Sequence, residues 1–247
     1  MSKVLGIDVG GTGIKGAIVD TSTGEMITER IKYKTPQPAT PEDMIDVMKK
    51  LVLDHEWFGG KIGVGFPSII KKGISLSASN IDDSWLNFPV ENRLNDALGA
   101  EVTVINDADA AGLAEQHFGK GKNIDGVLLF LTLGTGIGSA LFKNGTLIPN
   151  TELGHLKWRD SIAEKYAGNK AREIDDLSWK DWGKEVNRVL NHIHFVISPD
   201  HILLGGGVSK KWENYKKYIK LNIPVEPASL LNNAGIIGAA CAVVTKL

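Results

Sequence analysis

The sequence predicts an α/β fold built from two duplicated domains, and three observations favour this prediction. Each half of the chain contains a glycine-rich turn of the kind that binds phosphate, "DVGGTGIK" at residues 8–15 and "LTLGTGIG" at residues 131–138. Each turn lies between short segments rich in apolar and β-branched residues, which are typical of strands. The rest of the chain contains stretches with the apolar spacing of amphipathic helices.

The first glycine-rich turn is predicted to belong to a β-hairpin. "KVLGIDV" before it is typical of a strand, whereas "IKGAIVD" after it is short, β-branched and interrupted by a glycine, so it is poor helix material. A nucleotide-binding βαβ unit would need a helix here, and a P-loop would need a closing Lys-Ser or Lys-Thr pair. The alternating segment "MITERIKYK", residues 26–34, predicts a third strand.

Residues 127–147 repeat this pattern as strand, glycine turn, strand, Asn-Gly turn and strand. Two equivalent meanders predict duplicated domains that face one another across a central cleft. This is the architecture of actin-like (ribonuclease H-like) ATPases and sugar kinases. We expect an N-terminal domain over residues 1–105, completed by a C-terminal helix at 234–247, and a C-terminal domain over residues 106–233.

The connecting segments supply the remaining elements. Residues 40–55 are predicted to form a helix, because Thr40 is a suitable N-cap and Pro41 suits the first helical position. Ser178 and Asp181 form a potential capping box at the start of a long helix. Further helices are predicted at residues 89–99, 108–118, 178–198 and 234–245, and further strands at residues 61–66, 101–105 and 201–207.

Composition excludes several classes of function. The 247 residues include 28 basic and 29 acidic side chains, and this balance argues against a nucleic-acid or membrane-surface binder, which would show a basic excess. The single cysteine, Cys241, cannot form an intramolecular disulfide or a cysteine-rich zinc site, and its apolar neighbours predict burial. The chain shows no signal peptide and no apolar run of about 18 residues, so a soluble cytoplasmic protein is expected.

Several motifs occur in an order that is specific as a set. Besides the two phosphate motifs they are "KTPQPATPE" (34–42), "SASNIDDSW" (77–85), "INDADAAGLAE" (105–115), "ELGH" (152–155) and "LLGGGVSKK" (203–211). Over nearly its whole length the chain resembles the ROK family of sugar kinases and regulators, and within it the polyphosphate glucokinase and glucomannokinase branch. The resemblance implies phosphoryl transfer to the 6-hydroxyl of glucose, with polyphosphate, ATP or both as donor. It also implies a homodimer.

Two departures from the family pattern narrow the expectation. Typical ROK members have a zinc-binding histidine and three cysteines after the sugar motif "ELGH", whereas "ELGHLKWRDSIAEKYAG" contains no cysteine. We therefore expect Mg²⁺ as the metal cofactor and no zinc site. ROK repressors carry a DNA-binding helix-turn-helix ahead of the kinase-like body, and this chain reaches its first predicted strand within three residues, so a repressor is not expected.

Phosphoryl transfer needs hydrogen-bond donors positioned around the phosphate, neutralisation of its negative charge and a group that accepts the proton of the attacking hydroxyl. Lys15 is expected to neutralise a transferring phosphate, and Asp8 to hold Mg²⁺ through water. For each turn alone, the alternative is an ordinary hairpin. The expected donor-binding residues of the three glycine turns are Gly10, Gly11, Thr12, Thr132, Gly134, Thr135, Gly136, Gly205, Gly206 and Gly207.

Asp107 is the candidate catalytic base, because it stands at the exit of an apolar strand where a carboxylate is held rigidly. The resemblance implies that it accepts the proton of the sugar 6-hydroxyl. The alternative role is an N-cap of the following helix, for which Asn106 and Asp109 are the better candidates.

Carboxylate, amide and imidazole groups suit the vicinal hydroxyls of a sugar, each of which donates and accepts. A backbone contact to sugar near Ser68 is less expected, because relatives often have glycine there. The resemblance implies that sugar is bound by Asn80, Asn106, Asp107, Glu152 and His155.

The sequence does not decide between ATP and polyphosphate as the phosphoryl donor. Residues 205–220 contain five lysines and few acids, so they suit either the adenosine of ATP or a basic track for polyphosphate. Solvated helix faces would account for the same lysines. Further candidates for the track are Lys120, Lys122, Lys165, Lys170 and Arg172. An ATP-dependent glucokinase or another ROK hexokinase acting on glucose or mannose is the main alternative; a non-catalytic sugar sensor and an actin-like assembly protein are the others.

Overall fold

The computed structural model describes residues 3–78 and 81–245. The strands are β1 (Lys3–Gly10), β2 (Gly13–Asp20), β3 (Glu25–Met26), β4 (Ile31–Tyr33), β5 (Ile62–Phe66), β6 (Ile70–Lys71), β7 (Ile74–Ser75), β8 (Val102–Asn106), β9 (Val127–Leu133), β10 (Ile137–Lys143), β11 (Thr146–Ile148), β12 (Lys157–Trp158), β13 (Ser161–Ile162), β14 (His201–Gly205) and β15 (Val225–Pro227). The α-helices are α1 (Pro41–Asp54), α2 (Val90–Leu98), α3 (Asp107–Phe118), α4 (Glu164–Ala167), α5 (Asn169–Ile174), α6 (Trp179–Ile197), α7 (Trp212–Tyr215) and α8 (Ala234–Ala242). Within these ranges no helix combines the length and apolarity needed to cross a lipid bilayer.

The chain divides into two compact units. The first comprises Met1–Phe118 together with Asn233–Leu247, and the second comprises Gly119–Asn232. The predicted boundary lies near residue 105, but α3 lies in the first unit because it packs closely against α8. Residues 106–118 therefore belong with the first unit.

The first unit contains a sheet in the order β3-β2-β1-β5-β8, with β4 also paired to β2. β1 and β2 are antiparallel, whereas β1, β5 and β8 run parallel. Alternate side chains of β1 face opposite ways: Leu5 and Ile7 enter the core formed with α1 and α2, and Gly6 faces α8. Asp8 follows the same alternation as Gly6 and also lies against α8.

Glycines let α8 approach the sheet and α3 with backbone-to-backbone contact. A Cβ added at Gly6 would overlap the carbonyl oxygen of Ile236, and one at Gly63 would overlap that of Ala239. In the same way, a Cβ at Gly238 would overlap the carbonyl oxygen of Ala110 on α3. This close approach brings the start of α8 to the carboxyl ends of the parallel strands, where the candidate residues of this unit lie.

The second unit repeats the arrangement with the order β11-β10-β9-β14-β15. β9, β10 and β11 form the antiparallel meander, and β14 runs parallel to both β9 and β15. The apolar face of α6, which includes Trp182, Val186 and Leu190, packs on this sheet. Asn144 and Gly145 form the predicted two-residue turn between β10 and β11, both with positive φ.

One predicted strand is broken in the structure. Residues 26–34 form two short segments, β3 and β4, both paired with β2. Between them the hydroxyl of Thr28 accepts a hydrogen bond from the backbone N–H of Ile18 at 2.9 Å. The side chain thus satisfies a backbone donor that a continuous ladder would have used.

Candidate functional site

The first glycine turn, residues 10–13, is a β-hairpin as predicted. Gly10 pairs with Gly13, so Gly11 and Thr12 form a two-residue loop between β1 and β2, and both are exposed. The buried hydroxyl of Thr35 donates a hydrogen bond to the carbonyl of Gly10. This bond holds the end of β1 in place and leaves the tip of the loop accessible.

Asp8 and Lys15 face each other across β1 and β2, two residues before the glycine turn 10–13 and two after it. The Lys15 Nζ lies 2.7 Å from the Asp8 Oδ2, and both side chains are largely buried. The Asp8 carboxylate also lies against the first turn of α8: a Cβ added at Gly235 would be 2.6 Å from its Cγ and 2.7 Å from its Oδ2. The glycine at position 235 is therefore what makes room for this carboxylate.

Asp107 is the first residue of α3 and follows directly after β8. The predicted alternative, a capping role, falls to Asn106, whose Oδ1 accepts from the backbone N–H groups of Ala108 at 2.9 Å and Asp109 at 3.1 Å. The Asp107 carboxylate also accepts from the N–H of Ala108, at 2.8 Å, and its side chain is half-buried.

Asp8 and Asp107 lie at the same edge of the sheet of the first unit. Asp8 lies near the carboxyl end of β1, and Asp107 comes directly after β8. β5 lies between these two strands, and all three run parallel. A Cβ added at Gly65 on β5 would be 3.7 Å from the Asp107 Cα and 3.8 Å from the carbonyl oxygen of Gly235. Small residues thus bring the two carboxylate-bearing strand ends and the start of α8 together.

Hydroxyl groups hold the loop after β5 next to Asn106. The Ser68 hydroxyl is within 2.7 Å of the Ser75 hydroxyl and donates to the carbonyl of Ser77 at 2.8 Å. The Asn106 Nδ2 donates to the carbonyl of Ser68 at 3.1 Å. Ser68 is therefore a buried structural group in this loop, and the sugar-binding candidate Asn80 lies outside the described residues.

The second glycine turn, residues 134–136, joins β9 to β10. The N–H of Gly134 donates to the carbonyl of Gly136 at 2.9 Å, and the N–H of Lys170 donates to the carbonyl of Gly134 at 3.2 Å. Thr132, just before the turn, accepts from the N–H of Gly138 through its hydroxyl at 3.2 Å. Because the Gly134 N–H is engaged inside the turn, the donors left as phosphate-binding candidates are those of Thr135 and Gly136.

The third glycine turn, residues 205–207, lies beside the second. Gly205 pairs with Thr132 across the parallel strands β14 and β9. Gly206 has φ 80°, and a Cβ there would be 2.7 Å from the carbonyl oxygen of Leu133, so both the conformation and the space require glycine. The two turns therefore lie at one edge of the sheet of the second unit, as the carboxyl ends of parallel strands do.

The sugar motif, residues 152–155, is anchored on β10. The Ser139 hydroxyl accepts from the N–H of Leu153 at 3.0 Å and donates to the carbonyl of Thr151. A Cβ on Gly154 would overlap the carbonyl oxygen of Ile137, the residue that follows the second glycine turn. The motif is thereby held against the beginning of β10, next to that turn.

Glu152 and His155 interact with one another at the surface of the second unit. The His155 Nδ1 lies 3.4 Å from the Glu152 Oε2, and each side chain is partly exposed. Burial raises the pKa of Glu152, the His155 side chain lowers it and the Glu164 carboxylate raises it, with the net shift upward. A partly buried carboxylate and an imidazole together offer the mixed donor and acceptor groups that sugar hydroxyls need.

Glu164, which the sequence analysis did not single out, belongs to the same group. It begins α4, and its Oε2 accepts from the N–H of Ile137 at 3.3 Å. A Cβ on Gly136 would overlap this carboxylate. Its position depends on how residues 156–163 fold back, so nothing in the local pattern "AEKYAG" indicates it.

The lysines of residues 205–220 are all exposed, as either of the predicted roles requires. Lys216 is paired with Glu213 at 2.6 Å, and Lys217 lies over the ring of Tyr218 at 5.2 Å. Lys120 is paired with Glu226 at 2.7 Å. Part of the proposed basic track is thus already neutralised by neighbouring acids.

The residues near Asp8 are compatible with Mg²⁺ carried by a phosphate donor. This ion is commonly held through one or two carboxylates together with substrate phosphates and water, and Asp8 supplies one carboxylate. In the part of the chain that the structure describes, no group of three or more His, Cys, Asp and Glu side chains is placed to hold a metal.

The comparisons with known proteins agree on one family. The model of the ROK family matches residues 4–175. The polyphosphate glucokinase of Mycobacterium tuberculosis (strain CDC 1551 / Oshkosh) is 47% identical over 241 residues, covering 97% of this chain and 91% of the relative. That of Mycobacterium leprae (strain TN) is 43% identical, covering 96% and 74%. The crystal structure of the inorganic polyphosphate/ATP-glucomannokinase from Arthrobacter sp. strain KM is 45% identical, with a TM-score of 0.95 and 99% coverage of both chains.

Two α/β units, each an antiparallel meander with a glycine turn followed by parallel strands, form the actin-like two-domain fold of sugar kinases. The chain belongs to the ROK family.

Proposed function

We propose that the protein is a polyphosphate-dependent glucokinase, which transfers a phosphoryl group from inorganic polyphosphate to the 6-hydroxyl of glucose and gives glucose 6-phosphate. The observation that carries this proposal is the similarity, over almost the full chain, to relatives named polyphosphate glucokinase and polyphosphate/ATP-glucomannokinase. ATP as a second donor and mannose as a second acceptor belong to the proposal, since the glucomannokinase is named for both. A homodimer and a cytoplasmic location stay predictions.

Asp107 is the proposed catalytic base. A carboxylate at a strand end is held rigidly, and Asn106 caps α3, so the fold does not need Asp107 for that purpose. Proton acceptance from the 6-hydroxyl makes its oxygen a better nucleophile while the phosphoryl group is transferred. The 6-hydroxyl proton thus moves to the Asp107 carboxylate as the new oxygen–phosphorus bond forms, while the terminal phosphoanhydride bond of the donor breaks and releases a polyphosphate shortened by one unit.

Glu152 and His155 are the proposed binding partners of the other sugar hydroxyls, together with Asn106 and the predicted contact Asn80. Glu164 joins them in this proposal because it lies next to both the sugar motif and the second glycine turn. Carboxylates accept from hydroxyls and the imidazole N–H donates to them, so the set matches a polyol.

The glycine turns are proposed to bind the donor. The N–H groups of the exposed residues Gly11, Thr12 and Thr135 and of the half-buried Gly136 are suited to phosphate oxygens, and Lys15 supplies a cation beside the first turn. Mg²⁺ held through water by Asp8 would neutralise charge on the transferring phosphate. Residues 205–207 are the proposed contact for the rest of the donor.

The acceptor half of the proposal is tested with a substrate pair. Glucose and 6-deoxyglucose differ only in the hydroxyl that is proposed to react. We expect phosphorus NMR to show a 6-phosphate ester from glucose and no ester from 6-deoxyglucose. Phosphorylation of 6-deoxyglucose, or an ester at another carbon of glucose, would contradict the proposed reaction.

The metal requirement gives a prediction about composition and activity. We expect the purified protein to contain no stoichiometric zinc and to lose turnover when Mg²⁺ is removed, because the segment after His155 has no cysteines and Asp8 is the proposed magnesium-side carboxylate. Elemental analysis and a Mg²⁺ titration of activity measure both quantities. About one zinc per chain, or full turnover without Mg²⁺, would refute the corresponding half.

The basic segment gives a prediction about the donor. Changing Lys210, Lys211, Lys216 and Lys217 together to glutamine is expected to raise the KM for long polyphosphate about tenfold or more, since exposed charge contacts are individually weak but add along a polyanion. The KM for glucose should stay nearly unchanged. Steady-state kinetics at two ionic strengths measure the effect. In the native protein, added salt should raise the KM for polyphosphate, because it screens the same charge contacts.

The matched control removes the same charge from exposed lysines of the first unit, Lys49, Lys50, Lys71 and Lys72. This control variant should retain the native KM for polyphosphate. Equal effects of the two quadruple variants would show that net charge, not the segment, governs the affinity for polyphosphate.

A further inference from the structure

A short hairpin links the sugar motif to Glu164. β12 and β13 pair so that Trp158 faces Ser161, which leaves Arg159 and Asp160 as the turn. The N–H of Ala163 donates to the carbonyl of Leu156 at 2.9 Å and closes the base of the hairpin. The hairpin therefore begins directly after His155 and ends directly before Glu164, so its position sets how these two side chains are placed.

The hairpin is fastened to α6 through one buried carboxylate, that of Glu185. Its Oε1 accepts from the indole N–H of Trp158 at 3.0 Å. Its Oε2 accepts from Arg159 Nη2 and from Arg188 Nη1, each at 2.9 Å. The Glu185 side chain is only 9% exposed, whereas its two arginine partners reach it from the surface, so a buried carboxylate is held by charge-assisted bonds from cations that stay partly in water.

A second set of contacts ties the hairpin tip to α4. The Arg159 guanidinium lies over the ring of Tyr166, 4.8 Å from its centroid, and the Tyr166 hydroxyl donates to the Asp160 carboxylate. Tyr166 is two residues after Glu164 on the same short helix. The Glu185 cluster, defined as Glu185, Trp158, Arg159 and Arg188, thus also constrains the helix that presents Glu164.

We propose that Glu185 is a positioning residue for sugar binding: by clamping the β12–β13 hairpin onto α6 it holds His155 and Glu164 in place beside the second glycine turn. The inference rests on the proposed function, because it assigns those side chains to glucose. Apolar contacts add to the polar clamp: the Trp158 ring lies 5.3 Å from that of His192 on α6, and Ala163 at the base of the hairpin belongs to the core of this unit.

Loss of the carboxylate charge is expected to release the hairpin rather than to unfold the unit. Three donors converge on Glu185, and burial raises its pKa while the hydrogen bonds from Trp158, Arg188 and Arg159 lower it to a net value below the ordinary one. Glutamine at this position has one acceptor oxygen instead of two. Its NH2 group cannot accept from the donors that the second carboxylate oxygen served, so at least one bond is lost.

The test compares Glu185→Gln with Val189→Ala, which removes buried volume from the core on the same helix but none of the hydrogen-bonding groups of the cluster. We expect Glu185→Gln to raise the KM for glucose about tenfold, the value of one lost charge-assisted bond, and to change the KM for polyphosphate less than about twofold. Val189→Ala should lower thermal stability and leave both constants near native values. Arg159→Gln, at the exposed side of the cluster, should reproduce the glucose effect more weakly.

Hydrogen–deuterium exchange provides a readout that is independent of activity. Glu185→Gln should speed amide exchange in residues 156–164, whereas Val189→Ala should not do so selectively. Unchanged exchange of the hairpin in both Glu185→Gln and Arg159→Gln would overturn the clamp. Faster exchange with an unchanged KM for glucose would overturn its role in sugar binding. Failure of the native protein to phosphorylate glucose would instead refute the proposed function and leave the exchange result to decide the clamp.

Discussion

Asp107→Asn is expected to lower kcat for glucose phosphorylation by about 10²-fold or more, because the variant cannot accept the proton of the attacking hydroxyl. The KM for glucose should change little, since an amide of nearly the same shape still contacts the sugar. Steady-state kinetics with a coupled assay for glucose 6-phosphate measure both constants.

The structure makes this variant informative because Asn106, not Asp107, caps α3. The fold of the first unit should therefore survive, and the melting temperature reports it. Asp46→Asn, which removes an exposed carboxylate on α1, is the control and should retain full turnover. Native kcat in Asp107→Asn would remove Asp107 from the mechanism.

Gly235→Ala is expected to lower kcat about 10²-fold, an effect comparable to displacing a positioned group by about 1 Å. The added Cβ would lie 2.6 Å from the Asp8 Cγ, too close for the carboxylate to keep its place. The same change raises helix propensity by up to about 1 kcal/mol, so the variant is expected to remain folded. Thermal unfolding and steady-state kinetics separate these two effects.

The control for Gly235→Ala is the same change in an Asp8→Ala background. If the methyl group acts by displacing Asp8, it should add little once the carboxylate is gone, because the two changes affect one interaction. An undiminished loss in that background would show that Gly235→Ala acts elsewhere, and native kcat in the single variant would show that the position of Asp8 does not matter.

Turns, helix caps and helix positions that depend on neighbouring residues could be predicted from the sequence. The first glycine turn is a hairpin because the segment after it lacks helix-forming residues, and Thr40 accepts from the N–H of Asp43 at 3.3 Å as a predicted N-cap should. The helix expected at residues 234–245 is present but ends at Ala242. The motifs, in their order along the chain, also indicated the ROK family.

Features governed by distant residues were not accessible. The C-terminal helix was expected to complete the first domain, but that Gly235 is the residue beside Asp8 depends on how α8 packs on the sheet, which the local pattern does not contain. Glu185 occurs in an amphipathic helix where a charged residue is expected to face water, and it is buried because a hairpin folds over it. Glu164 likewise reaches the second glycine turn through tertiary folding. Local pattern contains none of this information.

The most direct test of the proposed function is glucose 6-phosphate formation with polyphosphate as the sole donor, measured in parallel with ATP as the sole donor. The polyphosphate must be freed of nucleotides, and Mg²⁺ and glucose must be present in excess. We expect sustained turnover with polyphosphate, with one glucose 6-phosphate formed per phosphate unit consumed. Absence of product from polyphosphate, together with turnover on ATP, would contradict the proposal and identify the protein as an ATP-dependent hexose kinase.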